Sequence, residues 1–521
     1  MSFLRPRLSG RPHRVIYNDD GDTRQIKGGR EAFLAERFNR VLNTDVDTYF
    51  WCIQMHDDAV GGNESWDANE VMLDAARQNN LEIWATARMN DTHDAHWPAE
   101  VFNATEPDPV EVDWKAHGWD AMSDEQKKSI SLLRPIRLKQ THPQMLVGPQ
   151  PLRGNVQAAP FGSILHMNWS ALDYAYRQVR QYYFDRIEAI CRNHDWDGLE
   201  LDFIRMPVFF KPGEIEKNIP TMTGFIGEVR ALLDKIGQER GRPFPLAVHV
   251  PGAPKYCLRC GLDINYWLAN DFVDLVVMST AYTPHGQIHD PFANLCRYHG
   301  VPAVTSLNVG PTAPDSTIDG KYSLERFRGR VSALWLEDID GIQIFNLFSS
   351  ALVGAEGGPL DELNLVGDPQ KLIGKDKLYE AATTGTWVDR EILADPIVTP
   401  CLVDEQPLMV KVGDPVERLA KSGTLKELRL EVRVTEITEE QSVQISLNGY
   451  PVEITDRRKE PRETPLSHGG HPVRTGGWWF SAVVDAPPAR RGTNYVLVRP
   501  GPGCVGSHQS RVVDARIWVR N

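Results

Sequence analysis

An apolar segment near the middle of the chain, residues 197–205, contains the acids Glu200 and Asp202 and the arginine Arg205. It reads Asp-Gly-Leu-Glu-Leu-Asp-Phe-Ile-Arg. If this segment is a strand, Glu200 and Asp202 point to the same face, about 6.5 Å apart along the chain. Two carboxylates on one face are suited to acid, base or nucleophilic chemistry. The alternative is a structural pair that Arg205 or the neighbouring backbone satisfies.

The residues before this strand have the pattern of an amphipathic helix, predicted over Ala171–Arg192. Apolar side chains recur there at every third or fourth position, which buries one face of a helix. Asp197 and Gly198 form the turn, and Pro207 ends the strand because proline has no backbone donor. Acids that follow a helix in this way indicate chemistry at the carboxyl end of a parallel strand.

Eight short runs rich in β-branched and aromatic residues occur before residue 350, with helical patterns between most of them. We predict strands at Arg14–Asn18, Asp47–Ile53, Glu82–Arg88, Gly198–Phe203, Pro245–Val250, Val273–Thr280, Pro302–Asn308 and Gly341–Asn346. Strands that alternate with helices form a parallel sheet. Eight such units match a (β/α)8 TIM barrel better than an open doubly wound sheet.

This barrel is predicted to be the catalytic domain, residues 1–390, with a large insertion at 92–169 between the third and fourth strands. The insertion contains several tryptophans, among them Trp169, and is longer than a βα loop needs. We expect it to cover the active face or to pack on the barrel as a subdomain.

After the barrel the pattern changes to short alternating strands with Gly, Pro and Asn turns, which predicts an antiparallel β-sandwich at residues 391–521. One helix is expected first, near Pro369–Ala381. The strands of the sandwich are predicted at Leu428–Val434, Val443–Leu447, Trp478–Val484, Tyr495–Arg499 and Val512–Val519. Trp478 and Trp479 are candidates either for binding carbohydrate or for packing between domains.

The formal net charge of the 521 residues is −13 and no basic block occurs, so neither nucleic acid nor a membrane is an expected partner. No segment approaches the roughly 20 apolar residues that cross a bilayer. Residues 1–7 lack the apolar run of a signal peptide. We expect a cytoplasmic location, or a periplasmic or secreted one if a leader was removed, and the oligomeric state is left open.

The chain has seven cysteines, an odd number, and they lie scattered or in apolar runs, which favours reduced thiols. Cys257 and Cys260 have the spacing of zinc ligands, but no second pair accompanies them. We therefore predict no metal and no cofactor.

Acids, amides and aromatic residues follow the predicted strands, and such groups bind sugar hydroxyls and stack on pyranose rings. For catalysis we predict Asp202 and Glu200. For substrate binding we predict Arg205, Asp19, Arg88, Asn90, His249, Tyr282, Asn308, Asn346 and Trp169. The two arginines either receive an anionic group of an acidic polysaccharide or neutralise the local acids.

Residues 197–203 resemble the fourth-strand signature of chitinase-type barrels, Asp-Gly-x-Asp-x-Asp-x-Glu, with Ile204 in the place of the final catalytic Glu. They are more similar to bacterial glycosyl-hydrolase-like barrel proteins, whose pattern Asp-Gly-(Ile/Leu)-x-x-Asp-(Phe/Asp)-x-Arg-x-Pro is matched by residues 197–207. The resemblance covers residues 10–385, is specific over about forty of them, and implies a carbohydrate-active barrel whose substrate stays open. By resemblance to related retaining barrels, Asp202 would be the nucleophile. Glu200 would then share a proton with Asp202, tune its pKa or hold a sugar hydroxyl.

The proton donor is open, because no acid ends the fifth to eighth predicted strands. The candidates are Asp19, Asp20, Asp91, Glu214, Asp290 and Glu200. Three hypotheses follow: a glycoside hydrolase acting on an oligo- or polysaccharide, a non-catalytic carbohydrate-binding barrel, and a metal-dependent hydrolase that uses histidines gathered by the fold.

Overall fold

The computed structural model describes residues 8, 12–21, 28–53, 66–96, 136–148, 168–279, 289–308, 317–318, 321–345, 347, 359–382, 405–460, 476–503 and 510–521. Four predictions lie wholly or mostly outside these residues: substrate binding by Tyr282 and by Asn346, the domain boundary at residue 390, and most of the insertion.

Eight parallel strands form a closed barrel in the order β1-β8-β7-β6-β5-β4-β3-β2. They are β1 Val15–Asp19, β2 Thr48–Ile53, β3 Glu82–Arg88, β4 Gly198–Asp202, β5 Leu246–Pro251, β6 Leu275–Ser279, β7 Ala303–Asn308 and β8 Gly341–Phe345. All eight predicted strands are confirmed to within two residues at either end. The described residues thus form a TIM barrel.

Helices lie between these strands and beyond them. They are α1 Gly29–Arg37, α2 Ala68–Gln78, α3 Arg137–Thr141, α4 Arg177–Asn193, α5 Ile215–Arg240, α6 Pro254–Arg259, α7 Ile264–Ala269, α8 Asp290–Tyr298, α9 Leu324–Leu334, α10 Leu363–Val366 and α11 Val416–Lys421. Short 3-10 turns occur at Asn39–Val41, His93–His96, Pro143–Met145, Pro359–Glu362 and Pro369–Leu372. None of the helices within the described ranges is both long and apolar enough to span a membrane.

Side chains alternate between the two faces of each barrel strand, as the period of a strand requires. The inward face holds an apolar cluster of Ile16, Phe50, Trp84, Ala247, Leu275, Val277 and Val304. Trp84 needs a glycine opposite it, because a Cβ on Gly198 would lie 2.5 to 2.6 Å from atoms of the indole ring. Phe50, Trp84 and Gly198 are register neighbours on β2, β3 and β4, so the indole lies at the start of the site-bearing strand.

Two helical predictions need correction. Helix α4 begins at Arg177 and not at Ala171, because the preceding backbone is bonded elsewhere: Asp173 N–H donates to Met145 and Tyr174 N–H to Phe209. The helix predicted near Pro369–Ala381 was wrong. Only Pro369–Leu372 is helical there, and Lys377–Ala382 is a strand that pairs with a distant part of the chain.

The chain divides into two compact units, Met1–Ser279 with Phe292–Val304, and Thr280–Pro291 with Thr305–Asn521. The first holds β1 to β6 and the start of β7. The second holds the remaining barrel elements, a short ladder of Thr317–Ile318 with Lys321–Tyr322, and the carboxyl-terminal sheets.

Two antiparallel sheets form the predicted β-sandwich. Their strands are β9 Lys377–Ala382, β10 Leu408–Val412, β11 Glu427–Thr435, β12 Val443–Leu447, β13 Tyr450–Val452, β14 Asp456–Lys459, β15 Trp478–Val483, β16 Gly492–Pro500 and β17 Arg511–Arg520. One sheet has the order β9-β17-β11-β15-β14 and the other β10-β16-β12-β13. Valine, leucine and isoleucine side chains from both sheets share one buried core, for example Val410, Val432, Leu447 and Ile517.

The two tryptophans on β15 each contact an arginine side chain of the same chain. Trp479 is 2% exposed, with the Arg516 guanidinium 4.2 Å from the centre of its ring. The Arg457 guanidinium lies at the same distance from the Trp478 ring. Carbohydrate binding by these two residues remains a prediction.

Candidate active site

The inward faces of β3, β4 and β5 bring three polar side chains into one row. Register pairs Arg88 with Asp202, and Asp202 with His249. One row deeper, Thr86 is paired with Glu200. Because parallel strands in register place their side chains side by side, Arg88 and His249 flank Asp202. The predicted pair of carboxylates thus lies on one face of β4, at its carboxyl end.

Asp202 is held by one of its two oxygens. Its Oδ1 accepts hydrogen bonds from the backbone N–H groups of Ile204 at 2.9 Å and Arg205 at 3.3 Å. His249 Nδ1 lies 3.5 Å from the same oxygen. Among the described residues, none donates a hydrogen bond to Oδ2. Within the described chain, one carboxylate oxygen is therefore fixed and the other accepts no hydrogen bond.

The charge state of Asp202 results from opposing effects. The side chain is only 3% exposed, and this burial raises its pKa. The neighbouring His249, the Arg88 guanidinium and the Ile204 N–H act in the opposite direction and prevail, so the pKa of Asp202 is lower than the usual aspartate value. Asp202 is therefore ionised at neutral pH.

Glu200 lies below Asp202 and is fully buried. One of its oxygens, Oε2, accepts a hydrogen bond from Thr86 Oγ1 at 2.7 Å. Thr86 did not appear among the sequence-predicted residues. The sequence could have indicated Thr86, because it precedes Arg88 by two residues and so lies on the same face of β3.

A network of ion pairs lies beside these carboxylates. Asp20 accepts from Arg88 at 2.5 Å and from Arg205 at 2.9 Å, one guanidinium on each of its oxygens. Arg88 also pairs with Asp91 at 3.1 Å. Burial opposes the charge of Arg88, but Asp20, Cys52 and Asp91 outweigh it and raise the pKa of Arg88 well above its usual value. Both predicted arginines thus form ion pairs with nearby acids, and their binding of an anionic substrate group stays a prediction.

Cys52 on β2 is a neighbour of this network that the sequence did not single out. It is register-paired with Thr86 and buried. Burial raises the pKa of its thiol to about 12, with Asp20, Asp202 and Asp91 adding to the effect and Arg88 opposing it. A thiol that stays protonated at neutral pH is a poor nucleophile.

Two of the predicted substrate-binding residues form hydrogen bonds that hold the protein together. Asp19 is fully buried and accepts from Arg37 of α1 at 3.0 Å and from the Tyr49 hydroxyl at 2.8 Å. Asn90 donates to the Leu172 and Val208 carbonyls at 2.9 and 2.6 Å, and accepts from the Leu172 N–H at 2.9 Å.

Trp169 and Asn308 are not brought to Asp202 by any contact between described residues. Trp169 is fully buried and packs against Gly148, where a Cβ would lie 2.5 Å from the Trp169 Cβ. Asn308 is buried at the last position of β7, in the second compact unit. Substrate binding by either residue stays a prediction.

A buried lysine anchors the segment that follows β3. Lys139 of α3 pairs with Asp94 at 2.7 Å and donates to the Asp91 carbonyl at 2.8 Å. Ser170 donates to the other oxygen of Asp94, also at 2.7 Å. The residue that pairs with Arg88 is therefore fixed through its backbone. No cluster of three or more His, Cys, Asp and Glu side chains with metal-binding geometry occurs within the described parts of the chain.

No protein-family model matches the sequence, and neither does any curated protein. Among solved structures, the chain is similar to an α-amylase from Anoxybacillus, with a TM-score of 0.37 and 12% identity over 94% of this chain and 98% of that one. It is also similar to a family 18 chitinase from Chromobacterium violaceum, with a TM-score of 0.35 and 9% identity over 98% and 89% of the two chains. A third match is a family 18 N-acetylglucosaminidase from Paenibacillus barengoltzii, with a TM-score of 0.35 and 12% identity over 68% and 99%.

Proposed function

We propose that this protein is a glycoside hydrolase that acts on an oligo- or polysaccharide, with Asp202 as the catalytic nucleophile. The supporting observation is the state of Asp202: an ionised carboxylate at the end of β4 with Oδ1 held by two backbone N–H groups and no described residue donating to Oδ2. A nucleophile needs a fixed orientation and a negative charge. Both are properties of Asp202.

In the proposed reaction, Asp202 Oδ2 attacks the anomeric carbon and the glycosidic carbon–oxygen bond breaks. The leaving oxygen takes a proton from a carboxylic acid, and water later hydrolyses the glycosyl ester. Glu200 is the second carboxylate of the site, one row below Asp202. Asp20 and Asp91 are the other acids nearby, and both form ion pairs with Arg88.

A non-catalytic carbohydrate-binding barrel is the second candidate, and one observation favours it. The acids next to Asp202 within the described chain all have protein partners: Asp20 and Asp91 pair with arginine, and Glu200 accepts from Thr86. An arginine partner stabilises the ionised form and so opposes proton donation. A barrel with no proton donor would bind a glycan without cleaving it.

The first experiment compares Asp202→Asn with Asp19→Asn. Both replace a buried carboxylate by an amide at the carboxyl end of a barrel strand, but Asp19 contacts α1 and not the other site residues. We expect Asp202→Asn to abolish the release of reducing ends from a panel of neutral, acidic and amino polysaccharides. Asp19→Asn should keep the activity per folded molecule. Loss of activity in both variants, or in neither, would contradict the assignment.

The second experiment traps the intermediate. Dinitrophenyl 2-deoxy-2-fluoroglycosides of several sugars are incubated with the protein, and the labelled peptide is identified by mass spectrometry. We expect one covalent adduct on the peptide that contains residue 202, and none on Asp202→Asn. If binding of glycans is measurable by calorimetry while no reducing ends and no adduct form, the non-catalytic alternative is correct.

Dinitrophenyl glycosides that lack the 2-fluoro group identify the proton donor. A dinitrophenyl leaving group needs no protonation, so the donor's amide variant retains activity on it and loses activity on glycans. The three variants to compare are Asp20→Asn, Asp91→Asn and Glu200→Gln.

A further inference from the structure

His249 is buried beside the proposed nucleophile. It lies on β5 directly opposite Asp202, with 0% of its surface exposed, and its Nδ1 is 3.5 Å from Asp202 Oδ1. A histidine in this position has three available roles: binding substrate, filling the barrel interior, or acting on Asp202.

We propose that His249 is a positioning residue that holds Asp202 Oδ1, so that Oδ2 points at the substrate, and that its position favours the ionised form of Asp202. This inference rests on the proposed function, because it gives His249 its role through the nucleophile.

The first argument concerns charge. Burial by itself would favour the neutral acid at position 202, so ionisation needs cations nearby. Arg88 is one, but it already forms ion pairs with Asp20 and Asp91, so that its charge is divided among several carboxylates. Asp202 is surrounded by titratable and charged groups from β2 to β5 and from the loops that follow the strands. They are Asp20, Cys52, Arg88, Asp91, Glu200, Arg205 and His249. Among these groups, His249 has a ring nitrogen 3.5 Å from Asp202 Oδ1, and its proximity favours the ionised form of Asp202.

The second argument concerns geometry. The Ile204 N–H, the Arg205 N–H and the imidazole all approach the same oxygen, Oδ1. Three groups on one oxygen fix the rotation of the carboxylate about its χ2 torsion, which is otherwise broad for aspartate. A carboxylate held in this way presents Oδ2 without further reorganisation when the substrate binds.

The test uses His249→Gln, which keeps a side-chain N–H donor and removes the imidazole ring. Asp202 is observed by NMR in protein with 13C-labelled aspartate carboxyls, and its signal is assigned with Asp202→Asn. We expect the pKa of Asp202 to rise by about 1 to 3 units in His249→Gln. The acid limb of kcat/KM should move to higher pH by the same amount, because less of Asp202 is ionised at a given pH, and KM at the pH optimum should stay close to that of the wild type.

His13→Gln is the matched control. His13 is also a buried histidine, but it lies before β1, at the opposite end of the strands, next to the Thr48 hydroxyl at 3.1 Å. This variant should leave both the Asp202 signal and the acid limb unchanged, even if it lowers the melting temperature.

Two results would overturn the inference: an unchanged pKa of Asp202 in folded His249→Gln, or a raised KM with no movement of the acid limb, which would make His249 a substrate contact. The NMR titration does not require turnover. A shifted Asp202 pKa in a protein that cleaves no glycan would therefore support the role of His249 and contradict the proposed hydrolase, so the two failures are distinguishable.

Discussion

Asp19 and Asp20 are adjacent in sequence and lie in two different environments of the barrel wall. Asp19 points outward, where it accepts from Arg37 and Tyr49 and is 0% exposed. The Asp20 side chain joins the inward network, where it bridges Arg88 and Arg205 and is 15% exposed. The alternation of side chains along a strand separates a structural carboxylate from one that lies next to Asp202.

Asp19 and Asp20 also differ in their hydrogen-bond and ion-pair partners. Asp19 has an arginine, a tyrosine hydroxyl and the Gly21 N–H, each bonded to it at 3.0 Å or less. Asp20 shares its arginines with a larger set of charges, since Arg88 also pairs with Asp91. We infer that the outward cluster chiefly stabilises the fold, and that the inward network chiefly sets the electrostatics of the site.

The largest effect on stability is expected at Asp19. Asp19→Ala leaves the Arg37 guanidinium buried without this carboxylate, and breaking a buried ion pair from one side costs about 3–5 kcal/mol. Urea titration should show this loss in the free energy of unfolding, while the folded fraction keeps its glycan cleavage. A variant as stable as the wild type would mean that Arg37 finds another partner and that the two faces do not differ in this way.

A smaller loss is expected at Asp20. Asp20→Ala removes one carboxylate from a partly exposed network in which Arg88 keeps Asp91, so the cost should be about 1–3 kcal/mol. The two guanidinium groups left behind form a site for a small anion, and formate should restore part of the melting temperature. Chloride at equal ionic strength is the control. Equal stabilisation by both salts would show that the arginines do not hold one carboxylate between them.

The smallest effect is expected from Tyr49→Phe. The change removes one hydroxyl hydrogen bond to the Asp19 carboxylate, which keeps Arg37 and the Gly21 N–H, so the free energy of unfolding should fall by about 1.5 kcal/mol. Combining it with Asp19→Ala in a double-mutant cycle measures the coupling between the two residues. Additive losses would indicate that the hydroxyl and the carboxylate act independently.

Much of the barrel could be predicted from the sequence, because strands and helices alternate with clear periodicity. The shared face of Glu200 and Asp202 was also predictable, since residues two positions apart on a strand lie on the same side. The register between strands was not. Whether His249 or a residue one position away lies opposite Asp202 depends on how β4 and β5 align, and no local pattern records that alignment.

The incorrect helix at Pro369–Ala381 has a related cause. Lys377–Ala382 contains good helix formers, yet the segment pairs with β17, where Lys377 lies opposite Val519 and Leu378 opposite Trp518. Long-range pairing overrides local propensity in such a segment. Asp19 illustrates the same point, because its ion pair with Arg37 of α1 depends on long-range packing that no local pattern records.

Trp84 closes the space below Glu200 on β3 and β4. Its indole packs with Phe50 and Ile16 in one apolar cluster, and Gly198 leaves the room that the ring needs. A single row of side chains, that of Thr86 and Glu200, separates Asp202 from the row of Trp84. A larger residue at position 198 would therefore displace the indole directly below the carboxylates.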